Sequence, residues 1–265
     1  MEGNELIVDG LSRFEEVFAP YRDSFVIIGG AACRAVLSDG PLPPRKTKDI
    51  DMVLILERLD RSFISTFWSF IKGGGYKCAM RKDEEGNIKY VLYSFVEGIK
   101  GYPSQVELLS RPVDGLGTPE EHHIEIINID EDYSHLSAII LDTDYYEYLI
   151  AHTEPKGGLR YASTESLICL KVLAYLNLKK DKEAGKHVNK DDYKKHGRDV
   201  LMAVASLKEG DSFIVPASLK KSISEFIEVV SEDSVKRSLM DSLDIDEYAF
   251  NMYLGVLDRF FEAKE

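Results

Sequence analysis

The stretch of sequence that decides the fold reads FVIIGGAACRAVLSDGPLPPRKTKDIDMVL over residues 25–54. Its first four residues are apolar and rich in β-formers, which predicts a short buried strand over 25–28. That strand ends at Gly29 and Gly30, and a helix is predicted over 31–37. A strand that ends in two glycines and opens a helix lets a phosphate approach the free N–H groups of the helix.

The same stretch ends in a second predicted strand over 49–56, which carries two aspartates. Asp49 and Asp51 lie two residues apart, so both carboxylates leave one face of that strand, while Ile50 points to the other face. Two neighbouring carboxylates are costly unless a cation lies between them. A hard divalent cation with oxygen ligands is the usual solution, and Mg²⁺ in phosphoryl chemistry takes one or two carboxylates plus the substrate phosphates.

A third carboxylate is predicted to complete this site. Two-metal phosphoryl transfer holds its ions about 3.5–4 Å apart, which needs more carboxylate than one pair of aspartates supplies. Glu107 is the one charge in the apolar strand predicted over 105–109. The predicted metal ligands are therefore Asp49, Asp51 and Glu107, with Mg²⁺ in a two-metal site as the expected cofactor.

Strand patterns fill the first part of the chain and helical patterns fill the last. Further strands are predicted over 89–96, 124–129 and 136–141, and helices over 5–18, 63–71, 164–178, 191–207, 216–230 and 244–261. This order predicts an α+β fold in which a mixed sheet with flanking helices is followed by a C-terminal helical domain. The predicted domains are residues 1–142 and residues 143–265.

Charge and hydropathy bear on whether the protein binds nucleic acid or spans a membrane. The net charge of the 265 residues is −13, which argues against broad binding to nucleic acid. Residues 179–198 nevertheless carry eight Lys and Arg against four acids, which favours either a solvated helix–loop–helix or a cradle for phosphates or RNA. No apolar run approaches the roughly 20 residues of a membrane span, and residues 1–5 lack signal-peptide order, so a cytoplasmic location is expected.

The ordered set of Gly-Gly, helix, Arg-x-Thr-x-Asp-Ile-Asp and a later strand carboxylate resembles the nucleotidyltransferase superfamily. Within that superfamily, residues 29–32 and 45–51 most resemble the bacterial AbiEii-type proteins, which are the toxins of abortive-infection and toxin–antitoxin pairs. The resemblance implies a nucleotidyltransferase-fold catalytic domain over residues 1–142. It also implies that Gly29 and Gly30 hold nucleotide phosphates and that the two aspartates bind magnesium.

The same resemblance implies two functional residues in the helical domain. Lys171 matches a family lysine on a helix and is expected to steady the triphosphate, and Asp199 matches a later aspartate in a basic helix. The family's first turn usually carries Ser or Thr after the glycines, where this chain has Ala31. The predicted catalytic residues are Asp49, Asp51, Glu107, Lys171 and Asp199, and the predicted nucleotide-binding residues are Gly29, Gly30, Ala31, Arg45, Thr47 and Lys171.

Three functions remain open at the level of sequence. The first is Mg²⁺-dependent transfer of a nucleoside monophosphate from a triphosphate such as ATP to RNA, for example to a tRNA end, by a toxin with an antitoxin partner. The basic segment 179–198 favours this function. The second is the same transfer to a small molecule or a protein hydroxyl, which the acidity of the chain favours. The third is a non-catalytic nucleotide-binding regulatory module, which Ala31 in the phosphate turn favours.

Overall fold

The computed structural model describes residues 10–42, 44–82, 88–111, 124–127, 136–140, 142–185 and 190–264. The strands are β1 Phe25–Ile28, β2 Asp49–Leu54, β3 Lys77–Lys82, β4 Ile88–Val96, β5 Gln105–Ser110, β6 Ile124–Ile127, β7 Leu136–Ile140, β8 Thr153–Lys156, β9 Leu159–Ala162, β10 Phe213–Val215 and β11 Phe261–Ala263. The helices are α1 Leu11–Phe18, α2 Gly29–Val36, α3 Arg61–Gly73, α4 Thr143–Ala151, α5 Thr164–Glu183, α6 Lys190–Ala205, α7 Ala217–Val230, α8 Asp233–Leu243 and α9 Glu247–Phe260.

The chain divides into two compact units. The first unit comprises residues 1–35, 45–146 and 153–162, and the second comprises 36–44, 147–152 and 163–265. This division differs from the predicted boundary between 142 and 143. The hairpin β8–β9 returns to the first unit because β9 pairs in parallel with β1, with Ile27 opposite Tyr161.

One mixed sheet organises the first unit. Its strands run in the order β3-β4-β5-β2-β1-β9-β8, with β7 paired to β5 and β6 paired to β7. The central pair β2–β5 is parallel, and both β1–β2 and β4–β5 are antiparallel. The mixed sheet with flanking helices confirms the predicted α+β class.

Aromatic packing covers one face of this sheet. Phe14 and Phe18 of α1 contact Phe25 of β1, with ring centroids 5.9 and 6.1 Å apart. Phe67 of α3 contacts Phe95 of β4 at 5.5 Å. These rings are fully buried, so α1 and α3 close the apolar face and set the orientation of the strands.

The second unit is mainly helical and is built around α5. Ser163 begins this helix as predicted, because its side chain accepts a hydrogen bond from the Ser166 N–H. Tyr175 of α5 packs edge-on against Phe226 of α7, with ring centroids 5.0 Å apart. The short strands β10 and β11 pair in parallel beside these helices. Among the helices described, none has both the length and the apolar character needed to cross a membrane.

Candidate functional site

Asp49 and Asp51 lie on the face of the sheet opposite the aromatic core. Ile50 between them is fully buried, whereas both aspartates are part-buried. In the parallel pair β2–β5, Asp51 stands opposite Glu107. Residues directly opposite on adjacent strands project to the same side of a sheet, so all three predicted carboxylates share one face.

Glu107 is held by two polar neighbours on that same face. The Ser94 hydroxyl donates to Glu107 Oε1 at 2.9 Å, and Gln105 Nε2 donates to the same oxygen at 2.6 Å. Ser94 lies directly opposite Glu107 in the pair β4–β5, and Gln105 lies opposite Asp49 in β2–β5. The polar face of the sheet therefore consists of Asp49 and Asp51 on one strand, Gln105 and Glu107 on the next, and Ser94 on the third.

The glycine turn lies against this carboxylate face. Gly29 has φ +66°, and a Cβ built on it would come within 1.8 Å of Asp51 Oδ2. A Cβ on Gly30 would come within 2.9 Å of the Thr47 side chain. The Thr47 hydroxyl in turn accepts a 3.4 Å hydrogen bond from the Asp49 N–H. Because Gly29 and Gly30 lack a Cβ atom, the start of α2 can lie close to the start of β2 and to its aspartates.

Substitution of Gly29 tests this close approach. We expect Gly29→Ala to lower the free energy of unfolding by about 2–3 kcal/mol, because alanine is strained in the left-handed region and its methyl group meets the Asp51 carboxylate. Urea denaturation followed by circular dichroism measures the change.

Gly101 provides the matched control for this substitution. It has φ +85°, and an added Cβ would meet nothing within 4 Å, so Gly101→Ala should cost only about 1 kcal/mol of backbone strain. In an Asp51→Ala background the cost of Gly29→Ala should fall to that of Gly101→Ala. Equal costs for the two alanines in the wild-type background would contradict the contact.

The carboxylate face has the donor chemistry of a divalent-cation site. Three carboxylates on adjacent strands supply the oxygen ligands that Mg²⁺ prefers, and the missing Cβ of Gly29 lets the Asp51 carboxylate lie close to the turn. Within the ranges that the structure describes, no three side chains of His, Cys, Asp or Glu form a group close enough to hold a metal ion. The fit to Mg²⁺ therefore rests on residue type, shared face and register.

Lys171 and Asp199 lie in the second unit and form an ion pair with each other. Lys171 Nζ is 2.9 Å from Asp199 Oδ2, and the two side chains are 8% and 3% exposed. The pair joins α5 to α6 inside the helical unit. The predicted roles of Lys171 toward a triphosphate and of Asp199 in catalysis stay predictions.

The remaining predicted nucleotide-binding residues differ in exposure. Ala31 is fully buried, so its methyl group belongs to the core beneath the turn. Thr47 is also buried, and the Arg45 side chain is part-buried. Gly29 and Gly30 therefore remain the part of the turn at which a phosphate could approach the backbone.

The basic segment 179–198 is partly engaged in ion pairs. Lys179 pairs with Glu183 at 2.5 Å and Lys180 with Glu225 at 3.9 Å. Residues 186–189 fall outside the described ranges, as do the side chains over 186–193. The structure therefore describes only part of the predicted RNA cradle. In that part, Lys179 and Lys180 each have an acidic partner.

Ser94 and Gln105 are the residues that sequence reasoning did not predict for this face. Two signals were present. Gln105 and Glu107 repeat the two-residue spacing of Asp49 and Asp51, and Ser94 interrupts the apolar and aromatic run over 90–96. Each signal is common in surface strands, so neither predicts a hydrogen bond without the register of β4 with β5.

Comparisons with known proteins find no match for the chain. It matches no protein-family model, no curated protein and no solved structure. Function must therefore be inferred from the side chains of this chain and the geometry that holds them.

Proposed function

We propose that the chain is a Mg²⁺-dependent nucleotidyltransferase whose catalytic residues lie on the carboxylate face of the mixed sheet. One observation carries the proposal: Asp49, Asp51 and Glu107 share a face in register, beside a glycine turn that touches Asp51. An acidic face next to a backbone donor turn suits a ligand that brings both phosphates and cations. The resemblance to the nucleotidyltransferase superfamily, and to AbiEii-type proteins within it, supports the same reading.

The reaction moves a nucleoside monophosphate from a triphosphate to an acceptor hydroxyl. A bond forms between the acceptor oxygen and the α-phosphorus, the bond to the bridging oxygen breaks, and pyrophosphate leaves. When bound, Mg²⁺ would offset phosphate charge and orient the attacking and leaving oxygens. Asp49 and Asp51 would hold the ions, and the Gly29–Gly30 backbone would bind phosphate oxygens. Glu107 would help to hold the second ion and would lie near the acceptor hydroxyl, whose proton it would accept.

The experiment uses the whole purified chain with Mg²⁺, each α-labelled nucleoside triphosphate in turn, and total cellular RNA. The Asp49→Asn/Asp51→Asn double variant runs beside it. Label on RNA that disappears in the variant supports the proposal and identifies the nucleotide. Label of equal intensity in the variant would show that these aspartates do not carry the chemistry.

A second candidate keeps the reaction but changes the acceptor to a small molecule or a protein hydroxyl. It is favoured by the net charge of −13 and by the ion pairs of Lys179 and Lys180, which reduce the positive field available to a polyanion. Label on protein, or pyrophosphate release that depends on an added small hydroxyl compound, identifies this case. Triphosphate binding without release of pyrophosphate identifies a regulatory module instead.

A growth test addresses the toxin role and the antitoxin partner that the resemblance implies. A toxin of this kind arrests growth when it is expressed alone, and the Asp49→Asn/Asp51→Asn variant does not. Normal growth with the wild-type chain, under conditions where transfer activity is measured in the extract, would remove the toxin role while leaving the transferase.

A further inference from the structure

We infer that Ser94 and Gln105 are positioning residues that hold the Glu107 carboxylate in one orientation on the face it shares with Asp49 and Asp51. The inference rests on the proposed function, because it assigns Glu107 a task at that site. It concerns two residues that belong to no metal-ligand set and have no charge of their own.

The geometry joins the three side chains in a closed set of hydrogen bonds. Ser94 Oγ and Gln105 Nε2 both donate to Glu107 Oε1, at 2.9 and 2.6 Å. Gln105 Nε2 also lies 3.2 Å from Ser94 Oγ, to which it donates. Two donors on Oε1 restrict the rotation of the carboxylate, and they therefore limit the directions in which Oε2 can point.

The residues around Ser94, Gln105 and Glu107 favour one orientation of the Glu107 carboxylate. Ser94 is only 4% exposed, so its hydroxyl is not a solvated surface group. Gln105 stands opposite Asp49, and Glu107 stands opposite Asp51. A neutral amide at position 105 therefore supplies donors between acidic neighbours without adding a fourth negative charge to the face.

Carboxylate ligands are commonly held by such hydrogen-bonding partners, and loss of a partner typically weakens metal affinity or activity about 10- to 100-fold. The variants are Ser94→Ala and Gln105→Met, which remove one donor each, and Ser94→Thr, which keeps the hydroxyl. Ser110→Ala is the matched control. Ser110 of β5 is buried like Ser94, but side chains alternate between the two faces of a strand, so Ser110 lies on the face opposite Glu107.

The first readout is Mn²⁺ binding to the whole chain by electron paramagnetic resonance, with Mn²⁺ as the probe for Mg²⁺. We expect Ser94→Ala and Gln105→Met each to weaken binding about 10-fold, and Ser94→Thr and Ser110→Ala to bind like wild type. In a Glu107→Gln background, Ser94→Ala should cause no further loss, because its effect passes through that carboxylate.

The second readout separates kcat from KM for the triphosphate. At saturating Mg²⁺, misorientation of Glu107 should lower kcat about 10-fold and leave the KM for the triphosphate unchanged, because the Gly29–Gly30 turn still binds the phosphates. A purely structural role for Ser94 would lower the melting temperature without this split and without the Mn²⁺ loss.

Two results would overturn the inference, and they are distinguishable. If Glu107→Gln weakens Mn²⁺ binding while Ser94→Ala and Gln105→Met bind like wild type, the positioning role is wrong and the proposed function stands. If Asp49→Asn/Asp51→Asn also binds Mn²⁺ like wild type, the proposed function fails and the inference fails with it.

Discussion

Asp51→Asn is expected to reduce nucleotidyl transfer about 10³-fold while leaving the fold intact. The substitution preserves side-chain size but removes a charged ligand from the carboxylate face. Asp51 stands opposite Glu107, and like charges directly opposite on neighbouring strands repel, so in metal-free buffer the variant should be more stable than wild type by about 0.2–1 kcal/mol. Initial-rate assays and melting curves with and without EDTA measure both effects.

Melting curves in added Mg²⁺ give a second test of the role of Asp51. We expect Mg²⁺ to bind the native site and to raise the melting temperature of the wild-type chain, whereas the variant should respond little. Asp39→Asn is the control, since Asp39 is an exposed aspartate in the loop after α2. Wild-type activity in Asp51→Asn, with an unchanged metal response, would remove Asp51 from the site.

Lys171→Met is expected to destabilise the helical unit by about 3–5 kcal/mol, because it leaves the buried Asp199 carboxylate without the ammonium 2.9 Å away. The melting transition of that unit should fall by roughly 10 °C. The same substitution at Lys180, whose pair with Glu225 is 63% and 40% exposed, should cost less than about 1 kcal/mol. Calorimetry of the three proteins gives the comparison.

The double variant Lys171→Met/Asp199→Leu separates stability from function at this pair. Replacing both charges by apolar groups should restore most of the lost stability, because neither charge of the pair is left buried without the other. If the restored protein transfers nucleotide at the wild-type rate, the pair is structural. If it is folded but inactive, Lys171 or Asp199 acts in the reaction, as the family resemblance implies. A double variant as unstable as Lys171→Met would contradict the ion-pair argument itself.

Local patterns in the sequence determined most of the elements that carry the candidate site. The strand over 25–28, the two glycines and the alternation of Asp49, Ile50 and Asp51 were all predictable, because strand geometry sets a two-residue period and glycine marks a sharp turn. The helix that begins after Ser163 followed from its cap and its apolar residues.

Elements with weak local signals were missed. Helix α8 is short and buries only Leu239 and Leu243, so few core residues mark it in the sequence. Strand β8 contains Pro155 and is mostly exposed, which argues against a strand on local grounds, although its partner β9 joins the central sheet through β1. The division into units places β8 and β9 with the first unit, whereas the boundary predicted between 142 and 143 stays a prediction.

By itself, the sequence determined the chemical type of the candidate site: carboxylates on strands, a glycine turn and a lone lysine on an apolar helix. Only the tertiary structure decided which of these groups meet. The register of β2 with β5 brings Asp51 opposite Glu107, that of β4 with β5 brings Ser94 to the same carboxylate, and the packing of α5 on α6 pairs Lys171 with Asp199. Local periodicity depends on the backbone geometry of a few consecutive residues, whereas these contacts depend on how segments distant in sequence pack together.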